Sequence, residues 1–209
     1  MREMGLSARQ GRRRVSRTTD SRHVHPVAPN LLAHRFAAER PDQVWLADIS
    51  YILTGEGWLY LAAIKDMATR KIVGWSMADH LKAELCIAAL VMAIQRWQPQ
   101  KGLILHSDRG VQYASADYHS ILQRHGITQS MSRRGNCLDN APMESLFASL
   151  KKERVCHACF RTRDEAKEVM FDYIEVFYNR QRVHSAVGYR TPAEARVLLM
   201  SQNIMPLAA

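Results

Sequence analysis

Residues Val44 to Ala78 read VWLADISYILTGEGWLYLAAIKDMATRKIVGWSMA, and this stretch decides the fold of the chain. Val44 to Leu53 is rich in β-branched and aromatic residues, and Trp58 to Ile64 and Arg70 to Ala78 have a similar composition. Such residues favour strands, and Thr54 to Gly57 supplies a glycine-containing turn between the first two. Three strands at this short spacing predict an antiparallel meander.

Downstream of the meander, helical and strand-like segments alternate. Leu81 to Trp97 is long for a strand, and its alanines favour a buried helix. The spacing predicts short strands at Gly102 to His106 and at Ile127 to Met131, with a helix at Ser115 to His125 between them. This order predicts an α/β fold in which helices flank a mixed five-stranded sheet, and not a doubly wound parallel sheet.

The last third of the chain contains start signals for three helices. Thr162 and Thr191 each precede a glutamate by three residues, which is the pattern of a capping box. Asp139 or Asn140 can cap the helix that contains NAPMESLFASLKKE, and Pro142 is tolerated in the first turn of that helix.

Charge is unevenly distributed along the 209 residues. The formal net charge is +9, and residues 1–40 hold nine arginines against three acids. We therefore predict a basic N-terminal arm or linker at 1–40, a core at 41–197 and a C-terminal tail at 198–209. The positive excess favours a polyanionic partner, most commonly nucleic acid, although a merely soluble basic surface would give the same count.

The remaining composition excludes several classes of protein. Apolar residues make up 47% of the chain, and no strictly apolar run is long enough to cross a bilayer. The first residues carry no apolar stretch that could act as a secretory signal, so we expect a cytoplasmic protein. Cys156 and Cys159 have the spacing of a zinc knuckle, but no second pair follows, so free thiols are expected and zinc is not.

Three of the acidic residues stand out by their surroundings. Asp48 interrupts a strand-like run, where a charge is costly unless it is paired or bound to metal. Asp108 ends the strand GLILHSD, and ligand sites collect at such strand ends in sheets with helical crossovers. Glu144 lies near the start of a helix. Taken singly, Asp48 could pair with an arginine, Asp108 could cap a turn, and Glu144 could complement the helix dipole.

Adjacent central strands and one covering helix could bring these carboxylates to a single edge of the sheet. Three carboxylates in one cleft repel each other, and hard divalent cations relieve that repulsion. Oxygen ligands suit Mg²⁺ or Mn²⁺, and two such ions about 4 Å apart can activate a hydroxyl and stabilise the leaving oxygen of a phosphodiester. The prediction is phosphoryl transfer on nucleic acid, with Asp48, Asp108 and Glu144 as catalytic and metal-binding residues.

The helix of Glu144 supports this interpretation. Glu144, Ala148 and Lys151 are spaced so that they share one face of the helix. An acid, a small residue and a cation in a row let a phosphate backbone approach closely. A solvated polar face is the alternative explanation of Lys151.

Several segments together make the chain similar to the integrase-core transposases of bacterial insertion sequences, which are related to retroviral integrases and carry an Asp, Asp, Glu triad. The matching segments are VWLADISYI, EGWLYLAAIKDMATRKIVGWSM, LHSDRGVQYAS, SMSRRGNCLDNAPMESLFASLKKE and RVHSAVGYRTPAEA, in the order of the family. The second and third acids have 35 residues between them, the spacing typical of this group, and Lys151 follows the glutamate by seven.

The resemblance implies a ribonuclease H-like fold and an integrase catalytic core within residues 41–197. It implies hydrolysis at transposon ends, which releases a 3′ hydroxyl, followed by strand transfer into DNA. It also implies that Lys151 contacts DNA near the cleaved phosphate. Asp66, His106 and His184 match positions of the family motifs and are candidates for supporting the site, although a turn salt bridge with Arg70 explains Asp66 equally well.

The resemblance implies DNA, both transposon ends and target, as the partner, bound by a homo-oligomer without a membrane. Arg133 and Arg134 lie in the polar segment SRRGNCLD, and Arg12, Arg13 and Arg14 lie in the arm. We take these five arginines as candidate DNA contacts, because phosphate contacts give sequence-independent affinity. A bacterial protein of this kind is expected at the nucleoid.

Relatives usually carry a helical DNA-binding region before the core, and residues 1–40 resemble only the tail of that region. The chain is therefore expected as a truncated copy, or as one half of a protein completed by a DNA-binding protein from an upstream reading frame. Two alternatives to an active core stay open: a catalytically inactive DNA-binding remnant, and a ribonuclease H-like nuclease that cleaves RNA–DNA hybrids without joining DNA ends.

Overall fold

The three predicted strands form the meander in the computed structural model of the protein, which describes residues 26–134 and 136–204. β1 (Val44–Thr54) pairs with β2 (Gly57–Asp66), and β2 pairs with β3 (Ile72–Ala78). Both pairings are antiparallel, and a tight turn joins β1 to β2. The prediction of an antiparallel meander is confirmed.

Two short strands extend the sheet on the other side of β1. β4 (Ile104–Ser107) pairs with β1 in parallel, and β5 (Thr128–Met131) pairs with β4 in parallel. The strand order is β3-β2-β1-β4-β5, so β1 is the central strand. Parallel neighbours need crossover connections, which helices provide here. The predicted mixed five-stranded sheet is confirmed.

Helices fill the connections and the last third of the described chain. They are α1 (Ala83–Trp97), α2 (Ala116–Arg124), α3 (Ala141–Glu153), α4 (Arg163–Phe171) and α5 (Pro192–Ile204). α4 continues directly into π-helical turns at Asp172–Tyr178. Short 3₁₀ turns lie at Cys137–Asn140, Val155–His157 and Ser185–Val187.

Two of the three late helices begin at the signals read from the sequence. Thr162 Oγ1 accepts a hydrogen bond from the backbone nitrogen of Glu165, and Thr191 accepts the equivalent bond at α5. Asn140 precedes α3, but its side chain makes no hydrogen bond to that helix. The predicted side-chain cap by Asp139 or Asn140 is therefore wrong, because both side chains are bound elsewhere.

Helices cover both faces of the sheet, and each face has its own core. α1 and α2 pack on one face, where Trp45 and Tyr118 are fully buried. α3, α4 and the π-helical turns pack on the other face, which includes Leu46 and Phe147. Because successive side chains of β1 point to opposite faces, this one strand contributes to both cores.

Residues on either side of the predicted core boundaries also pack against it. Leu32 is buried beside α3, and the backbone nitrogen of Leu31 donates a hydrogen bond to Ser130 on β5. α5 runs through position 197, and Arg196 forms an ion pair of 2.6 Å with Asp42. Among the helices described, none combines the length and apolarity that crossing a membrane requires.

Candidate active site

The register of two neighbouring strands sets Asp48 beside Asp108. In the parallel pairing of β1 with β4, Leu46 lies opposite His106. Asp48, in the middle of β1, and Asp108, just after the C-terminal end of β4, each follow these partners by two residues, which brings the two acids to neighbouring positions on adjacent strands. Pairing stops at Leu46, so a cleft can open between the two strands at the acids.

Helix α3 is fixed to the central strand by one side chain. The amide nitrogen of Asn140 donates a hydrogen bond of 3.1 Å to the backbone carbonyl of Ala47, the residue before Asp48. Glu144 follows Asn140 by one helical turn and is exposed on α3. The bond therefore holds the glutamate-bearing turn over the middle of β1, next to Asp48.

The electrostatics of Asp48 link the three acids. Its carboxylate is half-buried and accepts a hydrogen bond from the backbone nitrogen of Ile49 at 2.8 Å. Removal from water and the charge of Asp108 raise the pKa of Asp48 well above its usual range, and the charge of Glu144 raises it further. Lys151 acts in the opposite direction. Both predicted partner acids thus face Asp48 closely enough to disfavour its charged form.

The turn after β4 shapes the position of Asp108. One oxygen of its carboxylate accepts a hydrogen bond of 2.9 Å from the backbone nitrogen of Gly110. A Cβ atom at Gly110 would lie 3.0 Å from that oxygen and 2.9 Å from the side-chain oxygen of Gln112. Glycine at this position therefore permits the close approach of the backbone to the carboxylate.

A protonated thiol and phenol lie beneath the acids. Burial raises the pKa of Cys86 to about 12, and the charges of Asp108 and Asp48 add to that shift. Burial likewise raises the pKa of Tyr113 well above its usual value. Neither group is an anionic nucleophile near neutral pH.

Lys151 contacts an aromatic ring on the central strand. Its ammonium is 4.3 Å from the ring centre of Tyr51 on β1. Tyr51 packs edge-to-face against Trp58, with ring centres 5.1 Å apart, and Trp58 is 43% exposed. A cation therefore lies next to an exposed aromatic surface, within electrostatic range of Asp48.

The other predicted DNA contacts differ in whether their side chains already have partners in the protein. Arg133 donates three hydrogen bonds to the buried carboxylate of Asp139, which lowers the pKa of that acid to about 2. His34 also contacts Asp139, at 2.9 Å. Arg134 is exposed. The predicted contacts at positions 12, 13 and 14 lie outside the described residues.

Two of the three candidate supporting residues, Asp66 and His106, are buried and make hydrogen bonds that stabilise the fold. Asp66 is fully buried, and its oxygens accept hydrogen bonds from Thr69 and the backbone nitrogen of Asp42. Among the described residues no salt bridge joins Asp66 to Arg70, although the charge of Asp66 opposes the lowering of the pKa of Arg70. His106 is also fully buried and bridges the hydroxyls of Ser130 and Ser132 on and after β5.

His184, the third candidate, lies in the segment after the π-helical turns. Its ring packs edge-to-face against Tyr178, with centres 4.9 Å apart. Burial and the neighbouring cation of Arg182 lower the pKa of His184 to about 4, so the ring is neutral at physiological pH.

The donor set matches a hard divalent cation by chemistry. Asp48, Asp108 and Glu144 offer carboxylate oxygens, the ligands that Mg²⁺ and Mn²⁺ prefer. The mutual repulsion that raises the pKa of Asp48 is relieved by a bound cation. Within residues 26–134 and 136–204, no three His, Cys, Asp or Glu side chains are already close enough together to hold a metal ion.

Sequence reasoning did not find three residues that shape this region. The position of Asn140 predicts a helix cap, and its bond to Ala47 has no local sequence signal. Tyr51 belongs to a run of strand residues and is not distinguished by its type. Lys65, however, is a charge inside the apolar run GWLYLAAIKD, the same signal that singled out Asp48.

This fold, with one aspartate inside the central strand, a second just after the neighbouring strand and a glutamate on the helix above them, is that of a ribonuclease H-like catalytic core. Two family profiles described as integrase core domain match the chain, one over residues 38–137 and the other over residues 125–192. The chain belongs to the integrase core family of DNA transposases and integrases, which are metal-dependent polynucleotidyl transferases.

Relatives from insertion sequences are similar along most of the chain. A 31 kDa protein of insertion element IS600 from Shigella sonnei is 51% identical over 194 residues, which cover 93% of this chain and 71% of the relative. Transposase InsF of insertion sequence IS3A from Escherichia coli K12 is 43% identical over 194 residues, covering 93% of this chain and 67% of the relative.

A solved viral structure has the same fold. The catalytic core domain of HTLV-2 integrase, in complex with magnesium and in a trimeric form, superposes with a TM-score of 0.55 at 14% identity. The match covers 75% of this chain and 97% of that domain. The predicted ribonuclease H-like fold is confirmed.

Proposed function

We propose that this chain cleaves phosphodiester bonds at the ends of a mobile DNA element and joins the released 3′ hydroxyl to target DNA. The observation that carries the proposal is that the negative charges of Asp108 and Glu144 both raise the pKa of Asp48. Buried structural acids of this chain, such as Asp66 and Asp139, have both oxygens occupied by protein donors. The repulsion at Asp48 is instead the mark of a site that binds cations.

Asp48, Asp108 and Glu144 are proposed to hold Mg²⁺ or Mn²⁺, in two sites. When bound, the ions lower the pKa of the attacking hydroxyl and stabilise the leaving oxygen. The carboxylates fix the ions, and Gly110 brings backbone close to Asp108, which orients that carboxylate.

Lys151 is proposed to bind the phosphate next to the bond that is cleaved. Its ammonium lowers the pKa of Asp48, so it lies within electrostatic range of the acids. Its contact with Tyr51 is a cation–π interaction that a phosphate oxygen can replace without a large movement of the side chain. Arg134 on the exposed loop and the arginines of residues 1–40 would add sequence-independent contacts to DNA.

DNA of the element ends and of the target is the proposed substrate, and several copies of the chain are proposed to act together. Both ends of an element must be cut and joined in one complex, which a single active site serves poorly. The trimeric form of the HTLV-2 integrase core and the transposase relatives support an oligomeric assembly on DNA.

The test is a cleavage and strand-transfer assay with Mg²⁺, using duplexes from the DNA that flanks the gene. Asp48→Asn, Asp108→Asn and Glu144→Gln should each abolish both reactions, while their folding is verified by circular dichroism. Asp164→Asn is the matched control, because that exposed acid pairs with Lys167 on α4 and its loss should leave activity intact.

Two results would count against the proposal. Wild-type protein that binds the duplexes but never cleaves them would indicate a non-catalytic DNA-binding protein. Cleavage of RNA–DNA hybrids without joining of DNA ends would indicate a nuclease of the same fold. Paramagnetic resonance of Mn²⁺ provides a readout independent of turnover, since each triad variant should weaken binding of the ion.

A further inference from the structure

A cationic cluster, in addition to the acidic site, lies between the β2–β3 turn and the segment that follows the π-helical turns. Lys65 is buried at the end of β2, and its ammonium makes one hydrogen bond, of 3.2 Å, to the carbonyl of Pro142. Nε of Arg70 and Nε2 of His184 are both buried and meet no hydrogen-bond acceptor among the described residues. Buried donors of this kind are rare, because each unmade hydrogen bond is destabilising.

The tautomer of His184 follows from its neighbour. Nη1 of Arg182 lies 3.4 Å from Nδ1 of His184, and a guanidinium can only donate. Nδ1 therefore accepts, and in the neutral ring Nε2 carries the proton. The buried Nε2 atom is a hydrogen-bond donor without an acceptor.

Tyr178 connects Arg70 to His184. Its hydroxyl donates a hydrogen bond of 3.1 Å to the carbonyl of Arg70, and its ring packs against the ring of His184. Arg70 has a left-handed backbone conformation, with φ of 64°, which is unusual for a residue with a side chain. The strained turn is held in place by Tyr178 and by the bonds between Thr69 and Asp66.

The charges of the cluster act on each other. Arg70 and Arg182 both lower the pKa of Lys65, and Lys65 and Arg70 both lower the pKa of His184. These mutual effects mean that the donors lie within electrostatic range of one another. The cluster is not sealed from solvent, because the side chain of Arg182 is 26% exposed and Arg70 is half-buried.

The acids nearest to the cluster are already occupied. Glu153 accepts three hydrogen bonds from Arg182 and one from the hydroxyl of Tyr173. Asp66 uses both oxygens for Thr69 and the backbone of Asp42. Neither carboxylate supplies an acceptor to the free donors. An anion with several oxygens on one centre would satisfy them together.

We propose that Lys65, Arg70 and His184 form a binding site for one phosphate group, taken either from the DNA backbone or from free phosphate. A phosphate offers several acceptor oxygens and a negative charge, which match an ammonium, a guanidinium and an imidazole N–H. The proposal is independent of the catalytic triad, because inorganic phosphate alone tests it.

The experiment uses the full chain and inorganic phosphate, titrated against chloride at constant ionic strength. Phosphate should raise the thermal midpoint saturably, as expected for a ligand that binds only the folded state. Lys65→Met and His184→Phe should weaken binding by about tenfold or more, the usual effect of losing a charge-assisted hydrogen bond. Lys167→Met on α4 removes an equal charge from the surface and should leave binding unchanged.

Both variants are chosen to preserve the fold. Lys65→Met removes a buried charge while it keeps the length of the side chain, and His184→Phe keeps a ring against Tyr178. A thermal midpoint that responds to phosphate no more than to chloride would overturn the proposal. Equal phosphate binding by wild type and Lys65→Met would also overturn it, and would mean that water satisfies these donors.

Phosphorus resonance separates the two sources of the phosphate. If a DNA duplex displaces inorganic phosphate from wild type and from Asp48→Asn alike, the site binds the backbone of DNA. If phosphate stays bound in the presence of duplex, the site takes the free ion. Loss of catalysis in Asp48→Asn leaves both measurements intact, so failure of the catalytic proposal can be told apart from failure of this one.

Discussion

Asn140 and Ala47 are 93 residues apart in sequence, and the amide of the first donates a buried hydrogen bond to the carbonyl of the second. This bond joins the start of α3 to the central strand directly before Asp48. The proposed catalytic glutamate, one turn further along α3, depends on it for its place above β1.

Replacing Asn140 should therefore affect both stability and activity. Asn140→Ala leaves the buried Ala47 carbonyl without its donor, which should lower the free energy of unfolding by about 1–3 kcal/mol. Urea denaturation measures this loss. Ser145→Ala on the exposed face of the same helix should change stability by less than about 0.5 kcal/mol. Strand transfer at a temperature where Asn140→Ala is fully folded should still be reduced, and unchanged strand transfer would separate the bond from catalysis.

The contact between Lys151 and Tyr51 should appear as a measurable coupling. A double-mutant cycle with Tyr51→Leu and Lys151→Met should give a coupling energy of about 0.5–1 kcal/mol in unfolding, the usual size of an exposed cation–π interaction. Tyr51→Phe should retain most of it, because the ring remains. The same cycle with Lys152→Met in place of Lys151→Met should be additive. A coupling energy of zero between Tyr51 and Lys151 would show that their contact does not stabilise the fold.

Divalent cations should stabilise the folded chain through the acidic site. Wild-type protein should show a higher thermal midpoint in millimolar Mg²⁺ than in EDTA, because the ion binds only the folded state. Asp48→Asn removes a repelling charge, so in EDTA it should be at least as stable as wild type while it loses the response to Mg²⁺. Asp164→Asn should keep the full response, and a wild type indifferent to Mg²⁺ would contradict the metal site.

Stability in phosphate-free buffer should depend on pH through Lys65. Burial lowers the pKa of Lys65 to about 7 in the folded chain, whereas the unfolded chain keeps the ordinary value of 10.5. The folded state is penalised in full below pH 7, and the penalty declines as the pH rises from 7 towards 10.5. Lys65→Met carries no such penalty. Its stability advantage over wild type should thus be largest at pH 6 to 7 and shrink by pH 9, measured by urea denaturation. A constant difference would contradict the lowered pKa.

Much of the fold was predictable because its signals are local. The β-branched run and the turn at Thr54 to Gly57 predict the meander, and the capping boxes at Thr162 and Thr191 predict where α4 and α5 begin. Each depends on interactions between residues close in the chain. The assignment of Asp48 as a residue with a special purpose was local too, since a charge inside a strand is conspicuous.

The errors came from side chains whose partners are distant. The local sequence suggests a salt bridge between Asp66 and the nearby Arg70, yet Asp66 bonds to Thr69 and to Asp42, which lies 24 residues away. The local sequence likewise predicts that Asn140 caps the helix that it precedes, yet its amide nitrogen donates to the carbonyl of Ala47 on β1. A local pattern cannot rank such competing partners, because the choice depends on which groups burial has deprived of water.

The sequence by itself determined the elements of this protein, the sign of its charge and the choice of three candidate acids, because propensity, periodicity and a charge inside an apolar run are properties of short segments. Only the tertiary structure decided that Asp48 and Asp108 come close in space, that α3 is bonded to β1, and that Nε of Arg70 and Nε2 of His184 are buried near Lys65 with no acceptor among the described residues. Those relationships arise from strand register and from competition for hydrogen bonds in the interior, and both are set when distant segments pack together.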